Sequence, residues 1–190
     1  TKPIDEKRNT VAVARAAWDG KGFTGVADVF VGEGGSGGPI TFGGDGMLYV
    51  WHGGGDTQML KTLAGKVLRL TDEGRVPPAG TFFFNDTATT EIYTMGHRNT
   101  LRMAKHPLTG AVWQIENGPN GGDEVNWIQR GNNYGWPTVS HDRVGDGFTP
   151  PLAEFSPSIG PGDATFYHGT EFPEFEGDLL VACMRGEGIL

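Results

Sequence analysis

The sequence predicts an all-β fold made of propeller blades. Three features carry that reading: a glycine-rich composition, a strand–turn–strand grammar that recurs three times, and near-constant spacing of the turn glycines. Of 190 residues, 32 are glycine and 12 proline, while only 20% are charged. Glycine supplies the positive φ angles that tight turns need, so this composition suits many short strands closely joined. The first hairpin reads PITFGGDG then MLYVWHG from Pro39 to Gly53, and the second LRMAKHPLTG then AVWQIENG from Leu101 to Gly118. A third, Ala164 to Gly186, has a longer turn. Each joins two apolar runs through a turn closed by glycine. The closing glycines Gly46, Gly110 and Gly177 stand 64 and 67 residues apart. A propeller with four strands per blade gives such a period, with intervening strands expected at Lys66–Thr71 and Glu124–Gln129. At about 65 residues per blade the chain holds about three blades, fewer than the four to eight of a closed ring. It is therefore expected to be a fragment of one propeller domain spanning residues 1–190, with uncovered end sheets.

Charge and motif content remove several function classes. Fifteen Lys and Arg against 23 Asp and Glu give a net charge of −8, and no basic run appears. Binding phosphates needs a concentrated basic face, so no nucleic-acid partner is expected. No apolar run approaches the length of a membrane-spanning helix. Cys183, the single cysteine, forms no internal disulfide. The first residues, TKPIDEKRNT, have no signal-peptide core. The glycine clusters at Gly32–Gly38 and Gly53–Gly55 do not follow the pattern of a dinucleotide-binding turn. His52, His97, His106, His141 and His168 lack zinc-ligand spacing, and no Gly-x-Ser-x-Gly elbow occurs.

The segment from Gly96 to Pro137, GHRNTLRMAKHPLTGAVWQIENGPNGGDEVNWIQRGNNYGWP, concentrates the remaining information. It holds a cationic Gly-His-Arg-Asn turn, a Gly-Pro turn beside acidic residues, and a glycine-aromatic close. In that order these elements resemble the soluble quinoprotein sugar dehydrogenases of the glucose/sorbosone dehydrogenase family. The resemblance implies a six-bladed β-propeller, of which about three blades are present here. It also implies pyrroloquinoline quinone and calcium as cofactors, a small-molecule sugar as substrate, a separate electron acceptor, and a periplasmic or secreted parent protein.

The same resemblance assigns roles. Arg98 covers the plane of the quinone and Asn99 contacts it, a task suited to a planar guanidinium that both stacks and hydrogen-bonds. An arginine there equally holds a loop through backbone hydrogen bonds. Gly118 and Pro119 present backbone carbonyls to calcium, which accepts such oxygens. Asp123, beside Glu124, is a candidate to bind calcium or orient Arg98, although a solvated loop pair is the commoner case. Tyr167, after the Pro157–Pro161 stretch, lines a sugar or cofactor pocket or packs between blades. Arg185 lies where the family contacts the quinone's carboxylates. Asn132–Pro137 reads as a rigid aromatic turn serving as support.

Two positions depart from the family pattern. The histidine that takes the proton from the sugar hydroxyl falls at Gly35 when aligned through Gly37-Gly38-Pro39-Ile40, and its supporting aspartate falls at Gly54. No catalytic side chain is expected at either, so a propeller that has lost catalysis and acts as a ligand- or protein-binding module is the alternative to a dehydrogenase. His52 and Asp56 are the nearest substitutes. Arg102 also replaces an expected glycine. Finally, Asn85–Thr94, NDTATTEIYT, reads as the translation of a short-read sequencing adapter, so residues 82–91 are expected to be a non-native insert.

Overall fold

A computed structural model describes residues 2–5, 8–78, 90–143, 145–185 and 188–190. Residues 82–89, most of the suspected insert, lie outside them. The described residues form strands and loops with a single 3-10 turn at Pro173–Phe175, and none of their helices is long and apolar enough to cross a membrane.

A short hairpin, β1 (Lys2–Asp5) and β2 (Arg8–Thr10), precedes a two-stranded sheet of β3 (Ala12–Trp18) and β4 (Phe23–Val31). Two complete four-stranded antiparallel meanders follow. The first is β5 (Ser36–Phe42), β6 (Leu48–Gly53), β7 (Lys66–Leu70) and β8 (Ile92–Met95). The second is β9 (Thr100–Lys105), β10 (Val112–Glu116), β11 (Asp123–Trp127) and β12 (Ala153–Phe155). A three-stranded sheet closes the chain: β13 (Pro161–Phe166), β14 (Leu179–Cys183) and β15 (Gly188–Ile189). The leading strands β5, β9 and β13 lie side by side, as the innermost strands of successive propeller blades do. Gly46, Gly110 and Gly177 close the first hairpin of each blade, all with positive φ, so the period read from the sequence is the blade repeat. The expected strands at 66–71 and 124–129 are β7 and β11, displaced by one or two residues.

The blades stack face to face, and alternation along each strand divides its side chains between two cores. On β6, Leu48 and Val50 join Val11, Val13, Leu68, Leu70 and Ile92 in one cluster. Tyr49 and Trp51 enter another with Val67, Met103, Val112, Ile128 and Tyr134. A third cluster, Ile115, Val125, Ala164 and Val181, joins the second meander to the last sheet. All of β6 is consequently buried, and its sequence reads as an unbroken apolar run instead of an alternation.

Odd-numbered strands from β5 onward start, and even-numbered strands end, at one rim; the hairpin turns occupy the opposite rim. There the turns of neighbouring blades meet, with Gly44 N donating to Gly110 O at 2.8 Å. A Cβ built on Gly110 would stand 2.6 Å from Gly44 Cα, and Gly110 has φ +72°. Gly110→Ala is therefore expected to lower stability by about 2 kcal/mol in urea titration, through backbone strain and forced separation of the two turns.

Candidate functional site

The β8–β9 turn carries His97, Arg98 and Asn99 to the strand-start rim, where the β10–β11 loop (residues 117–122) and the aromatic turn 132–137 face it. One pocket is lined by Gly96, Arg98, Glu116, Asn117, Gly118, Pro119, Glu124 and Trp136, among others. Three sequence-derived site residues, Arg98, Gly118 and Pro119, thus share a pocket.

Glu116, the last residue of β10, organises it. The carboxylate is 4% exposed. Oε2 accepts the backbone N–H of Arg98 at 2.9 Å, while Oε1 lies 3.2 Å from both Asn126 Nδ2 and His97 Nδ1. His97 is fully buried, stacks on Tyr134 with centroids 4.8 Å apart, and has Nε2 2.8 Å from the Thr94 hydroxyl. The ring meets both neighbours with Nδ1 toward Glu116 and Nε2 toward the Thr94 hydroxyl. These contacts fix the turn from beneath and leave the Arg98 side chain directed at the loop opposite. There Nη1 donates to Asn117 O at 2.7 Å and to Gly118 O at 3.0 Å, and the guanidinium carbon lies 5.3 Å from the Trp136 ring centroid. Arg98 therefore does hold a loop by its carbonyls, and one of them is the Gly118 oxygen the sequence associated with calcium. Asn99, half-buried, accepts Asn117 N at 2.9 Å through its own carbonyl.

Asp123 opens β11 and is fully buried, so the Asp123–Glu124 pair is no solvated loop. Oδ1 accepts Asn117 Nδ2 and Gly118 N, each at 2.9 Å; Oδ2 accepts Ser158 Oγ at 2.7 Å and Gly160 N at 3.0 Å. Both oxygens are thus engaged by protein donors, and the side chain clamps the Gly-Pro loop to the β12–β13 connection. Arg185 emerges beside that connection, its N–H donating to Ile159 O at 2.8 Å and its exposed side chain leaving the end of β14 at the same rim. Among the described residues, no group of three or more His, Cys, Asp and Glu side chains gathers as a metal centre. Oxygen ligands for a hard cation would come from backbone carbonyls of the Gly118-Pro119 loop.

The family model for glucose/sorbosone dehydrogenase matches residues 2–190. The chain belongs to that family. It is 32% identical over 173 residues to the aldose sugar dehydrogenase YliI of Escherichia coli strain K12, an alignment covering 81% of this chain and 46% of that protein. Over 87 residues it is 42% identical to the quinoprotein glucose dehydrogenase B of Acinetobacter calcoaceticus, covering 46% of this chain and 18% of the other. Among solved structures, the PQQ-bound aldose sugar dehydrogenase of Streptomyces coelicolor superposes with a TM-score of 0.76 at 31% identity, covering 94% of this chain and 53% of that one. The apo-form soluble aldose sugar dehydrogenase of Escherichia coli gives 0.82 at 28% identity, covering 95% and 62%. The chain spans about half the length of the aldose sugar dehydrogenase it matches.

Against this family background, Tyr167 needs correction. It follows β13 and joins the turn leading to β14: Tyr167 N donates to Asp178 O at 2.8 Å, and its ring packs on Phe172 and Phe175. Pro161, at the other end of β13, pairs with Cys183 near Arg185. Tyr167 is thus a strand length away, about 20 Å, on the opposite rim from the pocket. Gly35 and Gly54 do lie at the strand-start rim, with φ of +80° and +92°. A Cβ on Gly35 would collide with the His52 ring and the Gly53 carbonyl, so the loop as folded has no room for a side chain there. His52 is buried, with neither ring nitrogen bonded among the described residues, and burial pushes its pKa down, leaving it neutral.

Sequence reasoning missed Glu116, whose signal was its position at the strand end before Asn-Gly-Pro, opposite the Gly-His-Arg-Asn turn. It also missed the charge pair across the strands: Glu116 faces Glu124 in register. Burial, then the Glu116 charge, push the Glu124 carboxyl up to about 8. A folded state that holds a proton more tightly than the unfolded chain is favoured while that proton is bound. Stability is therefore expected to fall as pH rises from about 4.5 to about 8, and to level off above; Glu124→Gln should flatten this window in thermal melts. Asp123→Ala, which leaves four donors at the rim without their acceptor, is expected to cost about 3 kcal/mol in denaturant unfolding.

Proposed function

We propose that this chain is the cofactor-holding arc of a sugar dehydrogenase, binding pyrroloquinoline quinone and calcium at the strand-start rim. The observation that carries the reading is the orientation of Arg98: anchored by Glu116 at its backbone and by two carbonyls at Nη1, it presents a half-buried, planar cation to the pocket. The residues present suit such a group. Arg98 would lie against the flat quinone with Asn99 beside it, Arg185 would meet its carboxylates, and the carbonyls of Gly118 and Pro119 would offer calcium the neutral oxygens it accepts. When bound, the quinone supplies a two-electron acceptor for oxidation of an aldose or related hydroxyl. Arg98 and Arg185 would offset the negative charge such a group carries, and Glu116 keeps the Arg98 backbone in place.

A second reading is favoured by Gly35 and Gly54. Neither position carries a group able to take a proton, and the His52 ring fills the space a side chain at Gly35 would need. On that reading the propeller binds the quinone or another ligand without turning over sugar.

Titrating the purified chain with pyrroloquinoline quinone, with calcium and with chelator, followed by sugar-dependent dye reduction, separates these readings. The expected result is calcium-dependent binding that Arg98→Ala weakens by about tenfold or more, with dye reduction absent from this arc alone. Absence of calcium-dependent binding would sink the cofactor assignment. Binding in a repaired, full-length parent without sugar oxidation would establish the binding module.

A further inference from the structure

Arg98 is restrained on three sides before any ligand arrives. Its backbone N–H is held by Glu116, and one guanidinium edge is held by the carbonyls of Asn117 and Gly118. The third restraint is the Trp136 ring, whose centroid lies 5.3 Å from the guanidinium carbon. The residue that supplies this face is itself locked. Trp136 N donates to Gly96 O at 2.9 Å, and its carbonyl accepts Gln58 Nε2 at 2.8 Å and the Thr57 hydroxyl. Asn133, three residues before it in the same turn, pairs with Gln58 through Nδ2 at 2.7 Å and Oδ1 at 3.1 Å. The Trp136 backbone is thus tied both to the glycine that starts the Gly-His-Arg-Asn turn and to the loop after β6. Trp136 and Arg98 line the same pocket.

We propose that Trp136 is a positioning residue: its indole backs one face of the Arg98 guanidinium, so that the opposite face stands ready for a flat, anionic ring system. The two-bond edge on Asn117 and Gly118 stops rotation in the plane of the guanidinium, and the indole stops rotation out of it. Ordering a free arginine side chain costs conformational entropy, and a cation held over an aromatic face recovers part of it. Because the stack forms within the protein, the ligand does not bear the cost of ordering Arg98. The inference deepens the quinone reading and rests on it for the ligand's identity. The ordering of Arg98 is a property of the chain alone.

Two measurements on the intact chain test it. The first needs no cofactor: the side-chain Nε–Hε order of Arg98 by nitrogen-15 NMR relaxation, assigned with Arg98→Lys. Wild type and Trp136→Phe are expected to show an ordered side chain, and Trp136→Leu a flexible one; equal order in all three overturns the proposal. The second is quinone affinity in calcium, followed by cofactor absorbance. Trp136→Leu is expected to weaken binding about tenfold while Trp136→Phe stays within about threefold of wild type. A tryptophan that only fills space would show no preference for the aromatic variant, and equal affinities of the Leu and Phe variants overturn the proposal. If Trp136→Leu does not fold, Trp136→Met supplies the same aliphatic contrast. Failure of wild type to bind the quinone removes the functional reading alone, because the Arg98 signal still decides the positioning claim.

Discussion

A single buried carboxylate, Asp123, sets the geometry on which the rest of the rim depends. Its two oxygens gather four donors from two loops that the chain separates by almost forty residues. One loop places the carbonyls that Arg98 grips; the other carries Gly160 and Ile159, whose carbonyls fix the backbone of Met184 and Arg185. A charge taken out of water is tolerated only when its lone pairs are met, and here every donor is itself part of the site. The clamp therefore joins two requirements: the buried charge needs the loops, and the loops take their conformation from the charge. Arg98 and Arg185, on different blades, share a rim because Asp123 bridges the connections that support them.

Much of the fold was legible because its signals are local. Turn glycines repeat at the blade period, and strands such as β6 and β7 announce themselves by apolar runs between glycine-bearing turns. Arg98 and Gly118 were found because their neighbours in sequence are rare and ordered. What failed to show was direction. Tyr167 sits only seven residues beyond Gly160, close in sequence to the Asp123 clamp, yet a six-residue strand carries it to the other rim. A sequence motif does not state on which side of a strand its ends emerge. Glu116 and His97 stayed hidden for a related reason: each looks ordinary in its own segment, and their meaning arises only when β10 returns beside the turn before β9.

The rim around Gly35 is built differently. Gly35 is not merely a residue without a functional group, because the space in front of it belongs to the His52 imidazole. The loop from Gly32 to Gly38 has closed down on a buried, neutral ring, with Gly34 and Gly35 in left-handed conformations. The Arg98 side and the Gly35 side of the rim are therefore built independently of each other. Arg98 is held by Glu116, Asn117 and Gly118 of the second meander, whereas the loop is held by four hydrogen bonds to Thr10 and Val11.

The double-sided burial of β6 has a consequence for how the chain tolerates change. Leu48 and Val50 belong to one core, Tyr49 and Trp51 to the next. Deleting or inserting one residue in that strand would exchange the two sets, driving aromatic rings into a space shaped for aliphatic side chains and the reverse. Neither neighbouring blade could absorb the swap without repacking its own far side. The connection at residues 54–65, which joins β6 to β7 at the strand-start rim, is not bound by that alternation. A change of length there leaves the two sets of β6 side chains in their own interiors.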